Sequence, residues 1–121
     1  MRTGLTASTA ARVDAVVLPE MVATLGGRAI HPVLATARMI EWMEWASRLV
    51  ILPYLEPHED AVGYGVSVVH RRATPVGQTF WAVARFDHQE GRRIITRVTA
   101  HNDAGLIGDG EITQVLVPRR S

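Results

Sequence analysis

Thr36-Ala-Arg-Met-Ile-Glu-Trp-Met-Glu-Trp-Ala-Ser-Arg-Leu-Val-Ile-Leu52 is the stretch on which the fold turns. Met39, Trp42, Met43, Ala46, Leu49 and Val50 recur at three- and four-residue spacing, which predicts one helix with an apolar face. Thr36 stands where a helix N-cap is expected, and Pro53 helps end the run. Ile40 and Trp45 widen the apolar arc past half the circumference, so the helix is expected to be enclosed rather than laid on a surface. Ala37, Glu41, Glu44 and Arg48 share the remaining stripe.

What encloses it is read from the flanks. Downstream, Val62, Tyr64, Val66, Val68 and His70 alternate with smaller residues, as a strand does. After a turn at Thr74-Pro-Val-Gly77, three more strands are predicted: Gln78 to Asp87, Arg92 to His101 and Leu106 to Val117, joined by turns at His88-Gln-Glu-Gly91 and Asn102-Asp-Ala-Gly105. Upstream, Ala15-Val-Val-Leu18 predicts a short strand, Met21 to Leu25 fits a strand or a helical turn, and Arg28 to Leu34 reads as a loop after Gly26-Gly27. The expected architecture is α+β: one long helix followed by an antiparallel meander. Residues 1–10 read as a frayed tail ahead of a single domain over 11–121.

Composition limits the function classes. A chain of 121 residues removes roughly two-thirds of its unfolded surface from water in one core. Its thirteen basic residues are all Arg, interleaved with twelve acids for a net charge of +1, which is a poor footprint for nucleic acid. There is no cysteine, hence no disulfide framework, thiolate metal site or catalytic thiol, and the cytoplasm is the expected compartment. No segment has the length of a membrane span or the apolar run of a secretory signal, so no membrane partner is expected. The five histidines lack metal-site spacing, and neither metal nor cofactor is expected.

Three polar residues stand out along the helix and the strand after it. Thr36 has the bland reading of an N-cap, Glu44 that of a solvated carboxylate paired with Arg48 four residues on, and His70 that of a strand-end histidine. Together they are a hydroxyl, a carboxylate and an imidazole, sufficient parts for acyl transfer. Thr36 and Glu44 are eight residues apart, about 12 Å along a helix axis and about 80° in azimuth. Other side chains must converge to complete a site. Gly63 either admits a ligand to the backbone or eases, with Gly65, the bend of its strand.

A longer series of motifs adds weight. Leu34 to Ala46, Pro53-Tyr-Leu-Glu-Pro57, Gly63, Val69-His70, Ala73-Thr-Pro-Val-Gly77, Glu90-Gly-Arg-Arg93, Ala100-His101 and Ile107-Gly-Asp-Gly110 occur in one order at compatible spacing. In this the chain resembles the fluoroacetyl-CoA thioesterase family of hotdog-fold enzymes, in which a curved antiparallel sheet wraps a central helix. The resemblance implies an acyl-CoA thioesterase, a homodimer, catalytic roles for Thr36, Glu44 and His70, and substrate contact at Gly63 and at Gln114. It leaves open whether Thr36 is the nucleophile or positions water, with Glu44 as base and His70 as proton shuttle, or Glu44 itself attacks. Family members carry lid phenylalanines in the stretch that here reads Gly26-Gly-Arg-Ala-Ile-His-Pro-Val33, and an arginine where this chain has Gln114. Both departures detach the expected activity from fluoroacetyl specificity and point to a short-chain or small substituted acyl-CoA. An acyl-carrier-protein thioesterase, with Arg71, Arg72, Arg92 and Arg93 meeting an acidic carrier, and a non-catalytic acyl-thioester-binding module are the alternatives.

Overall fold

The computed structural model describes residues 1–120. Seven strands and one long helix follow in the order β1 (Ala10–Val16), β2 (Val22–Leu25), β3 (Arg28–Leu34), α1 (Thr36–Ile51), β4 (Glu59–His70), β5 (Thr79–Glu90), β6 (Arg93–Asn102) and β7 (Gly105–Pro118). Single 3-10 turns sit at Pro19–Met21 and Leu52–Tyr54. The main sheet is antiparallel with strand order β1-β5-β6-β7-β4, and α1 packs across its concave face, which is the hotdog arrangement.

The helix is covered on one side rather than enclosed. Met39, Met43, Ala46, Ser47, Val50 and Ile51 are buried, a single stripe at helical spacing. Trp45, by contrast, is 52% exposed. Ala46 of the helix and Ala82, Ala84 and Ala100 of the sheet have no exposed surface, so the helix lies close over the strands. Each large apolar side chain sealed there, such as Phe80, Met43 or Ile94, contributes about 1.5–3 kcal/mol. A polar stitch runs through the same layer: Thr96 Oγ1 donates to Ser47 Oγ at 2.8 Å, and Ser47 Oγ donates to the Met43 carbonyl at 2.9 Å.

The sheet is not the simple meander predicted. β5, β6 and β7 do run consecutively, but β4 lies at the far edge beside β7 rather than next to β5. The segment between β4 and β5 is therefore a crossover and not a hairpin turn. Buried Thr74 pins it, accepting from Asn102 Nδ2 at 3.1 Å and, through its carbonyl, from the Leu34 amide at 2.8 Å. This leaves one edge of β4 unpaired in the chain.

Two further differences lie upstream. Arg28–Leu34 is a strand, not a loop, and pairs with β2 as a separate hairpin. Gly26 and Gly27, at φ 57° and 80°, supply the left-handed conformations a two-residue hairpin turn needs. β1 runs over Ala10–Val16 rather than the expected Ala15 to Leu18, and ahead of it the Met1 ammonium donates to Glu59 Oε2 at 2.9 Å and the Arg2 amide to the Tyr54 carbonyl at 2.7 Å. Among the described residues, no helix is long and apolar enough to cross a membrane.

Candidate active site

Thr36 is the first residue of α1, and the cap position belongs to Ala35, whose extended backbone turns into the helix without a side-chain cap. The capping role expected of Thr36 is thus not taken up. Its hydroxyl points across to β4, where Thr36 Oγ1 and His70 Nδ1 are 2.8 Å apart. The amides that open a helix have no intrahelical acceptor, and the positive end of the helix dipole lies at this same hydroxyl.

Packing explains why a helix start and a strand end meet. His70 is the last residue of β4 and pairs in register with Gly108 of β7. A Cβ built on Gly108 would lie 2.7 Å from Met39 Sδ and 3.0 Å from the Val69 carbonyl oxygen. Glycine at that position therefore lets the first turn of α1 settle against the sheet, which brings Thr36 within reach of His70.

His70 is half-buried, and burial holds its pKa below the ordinary histidine value, with a backbone group of Arg72 opposing. Its Nε2 is buried and has no hydrogen-bond partner. The ring is therefore neutral at pH 7, and a tautomer with the proton on Nε2 leaves Nδ1 free to accept from the Thr36 hydroxyl. The pair opens into a cavity of about 270 Å³ whose other walls include Ala23, His31, Arg71 and Arg72.

Glu44 forms a second cluster. Its carboxylate lies over Gly63, where a Cβ would meet Glu44 Oε2 at 2.5 Å, beside a hollow of about 280 Å³ that also takes in Tyr64 and Gly65. The expected pairing with Arg48 is absent. Arg48 instead donates to Asp60 Oδ1 at 3.1 Å and the Ala61 carbonyl at 2.9 Å. Asp60 is held below the usual carboxylate range first by the Ala61 amide and then by Arg48. Among the described residues no cation pairs with Glu44. The strand is bulged between Gly63 and Gly65, with Tyr64 as the extra residue, so these glycines serve the bend as well as the approach to Glu44.

Gln114 pairs in register with Gly63, which places both on the same face of the sheet. It is only 3% exposed, yet neither amide atom has a hydrogen-bond partner. A buried carboxamide left unpaired costs about 1–3 kcal/mol.

Of the five sequence-predicted residues, the structure joins Thr36 to His70 and gathers Glu44, Gly63 and Gln114 in a second group. It does not bring the two groups together within one chain. His31 and Arg72 escaped the sequence reading as parts of the cavity. The Gly-Gly pair between two apolar runs was the available signal, since it marks a hairpin that carries His31 to the site. No group of three or more candidate metal ligands occurs among the described residues.

Comparison with known proteins adds four findings. The family model described as "Fluoroacetyl-CoA-specific thioesterase" matches residues 17–120. A fluoroacetyl-CoA thioesterase from Streptantibioticus cattleyicolor is 44% identical over 78 residues, 64% of this chain and 56% of that protein, so the match spans little more than half of its length. Among solved structures, a thioesterase superfamily member from Thermus thermophilus superposes with a TM-score of 0.90 at 38% identity, over 95% of this chain and 85% of that one. A phenylalanine-to-alanine variant of the fluoroacetyl-CoA-specific thioesterase FlK, solved with fluoroacetate and CoA, gives 0.82 at 35% identity over 97% and 95% of the two chains.

Proposed function

Because the chain belongs to the fluoroacetyl-CoA-specific thioesterase family, we propose that it is a thioester hydrolase that cleaves a short-chain or small substituted acyl-CoA to the free acid and CoA. The observation that carries this reading is the 2.8 Å contact of Thr36 Oγ1 with His70 Nδ1 at the mouth of a small cavity. Neutral His70 accepts the hydroxyl proton as Thr36 Oγ1 attacks the thioester carbonyl. The oxyanion forms beside the free amides at the start of α1. Collapse breaks the C–S bond, and the leaving thiolate takes the proton from His70. Water then cleaves the acyl-threonine ester, releasing the acid and restoring the hydroxyl.

Glu44 serves the water step from a second copy of the chain. Within one chain, the eight-residue separation holds it about 12 Å from Thr36 along the helix. The unpaired edge of β4 is rich in apolar side chains, with Val62, Tyr64, Val66 and Val69 all exposed. Such an edge is stabilised by pairing with another strand. In an antiparallel pair of β4 strands whose twofold falls near Val66, His70 of one copy stands opposite Gly63 of the other. That juxtaposition sets Glu44 and Gln114 of one copy beside Thr36 and His70 of the second. The homodimer is thus part of the proposed mechanism. A cytoplasmic location accompanies a CoA substrate and a chain without cysteine.

The test is single-turnover thiol release from short acyl-CoAs, followed by acid quench and mass measurement. An acyl adduct on Thr36 is the expected result. Label from oxygen-18 water appearing in Glu44 would show instead that the carboxylate attacks.

A further inference from the structure

The cavity above Thr36 and His70 has a charge bias that ester cleavage does not use. His31, Arg71 and Arg72 share its lining with the Thr36–His70 pair, and no Asp or Glu of the same chain does. Asp109 neutralises Arg71 bidentately, with its carboxylate oxygens 3.0 Å from Nε and 3.1 Å from Nη2. Among the described residues, Arg72 has no such counter-ion. Its Nη1 donates at 3.1 Å to the Ala104 carbonyl, and most of its five N–H donors stay available. His31 reaches the cavity from β3, where it stands opposite Ala23.

Arg72 shares the cavity lining with the reacting pair, and a guanidinium without a counter-ion there discriminates among acyl groups. A methyl or ethyl terminus leaves its donors to solvent, whereas a carboxylate meets a planar fork of matching shape and opposite charge. The phosphates of CoA are held far from the thioester sulfur by the long pantetheine arm. The group that shares about 270 Å³ with Thr36 and His70 is therefore the acyl group itself.

The geometry points to a substrate whose acyl group carries its own anion: a short dicarboxylic acyl thioester, its distal carboxylate on Arg72 with His31 as a second donor. This rests on the hydrolytic reading above and narrows its substrate class. It also gives the polar hairpin stretch around His31 a role in place of an aromatic cover.

Thiol release from acetyl-, propionyl-, malonyl- and succinyl-CoA by the full chain tests it. A dicarboxylyl thioester should exceed propionyl-CoA in kcat/KM by about tenfold or more, the worth of one charge-assisted contact. Arg72→Gln should erase most of that ratio through KM, and Arg72→Lys should restore part of it. Equal or lower rates on both dicarboxylyl substrates overturn the proposal while leaving the hydrolase reading intact. Release from none of the four overturns the hydrolase reading itself. Acetyl-pantetheine, which lacks the nucleotide phosphates, separates the other source of anionic charge. If Arg72→Gln slows acetyl-CoA and succinyl-CoA equally and leaves acetyl-pantetheine untouched, Arg72 serves the carrier and the proposal fails.

Discussion

Gly63 and Glu44 occupy each other's space: a Cβ at position 63 would sit 2.5 Å from Glu44 Oε2. The intruding atom is the far end of a flexible, exposed side chain, so Gly63→Ala displaces the carboxylate rather than the backbone. The backbone at 63 lies outside the left-handed region, and alanine there gains about 0.4–1 kcal/mol from the unfolded chain. The melting temperature should hold or rise, while kcat falls about 10²-fold from a misplaced carboxylate. Unchanged kcat in a folded variant would remove Glu44 from the chemistry.

Thr36→Ala deletes the hydroxyl without deleting a cap, since Ala35 occupies that position. Circular dichroism and melting should match wild type, with kcat lowered by about 10²–10⁴-fold. Thr36→Ser keeps the hydroxyl and should retain most of the rate.

Acid should silence the protein before it unfolds. Burial depresses the pKa of His70, so the neutral ring persists to lower pH than in a free histidine. The rate is expected to be flat at and above the ordinary value near 6.5 and to fall as pH drops through the depressed value. Stability moves the same way. Between those two pH values the unfolded chain binds the proton more readily than the folded one, so His70 contributes stability above the window that is lost on acidification through it. A pH–rate profile of kcat/KM beside urea melts at matched pH checks both.

Gln114 presents a trade between stability and binding. Gln114→Met removes two unpartnered buried polar atoms and should stabilise the fold by about 1–3 kcal/mol. If the amide meets substrate, KM rises in the same variant. A stabilised variant with wild-type KM would show that Gln114 is structural.

Val66, exposed on the free edge of β4, tests the second copy. Val66→Asp sets like charges near the proposed twofold and places a charge on the strand edge. Light scattering should report a monomer with native circular dichroism and little activity. A dimeric or fully active variant would defeat the shared site.

The helix and the strands after it were legible because their signals are local. The spacing of Met39, Met43, Ala46 and Val50 marks the buried face of α1, and alternation around Phe80, Ala82 and Ala84 marks β5. Strand order was not legible. Nothing near Thr74-Pro-Val-Gly77 distinguishes a hairpin from a crossover, because the buried Asn102 and Leu34 partners that fix Thr74 are distant in sequence. The site divides in the same way. Thr36 and His70 could be named, but their contact spans 34 positions and depends on Gly108 making room for Met39. Periodicity cannot show that. Trp45 misled for a related reason: an apolar arc shows what is available to bury, not what the sheet covers.

The β2–β3 hairpin forms a two-stranded sheet of its own, and its tip carries Leu25 at 73% exposure. Its ties to the remainder of the fold include the Leu34 amide to the Thr74 carbonyl and the Val33–Pro75 bridge. Segments with few buried contacts open at a lower free energy than the core they border. One wall of the cavity, through Ala23 and His31, is built from this segment. On heating, turnover should therefore decline while the main sheet is still intact, and the thermal limit of function will be set by thirteen residues rather than by the melting of the whole chain.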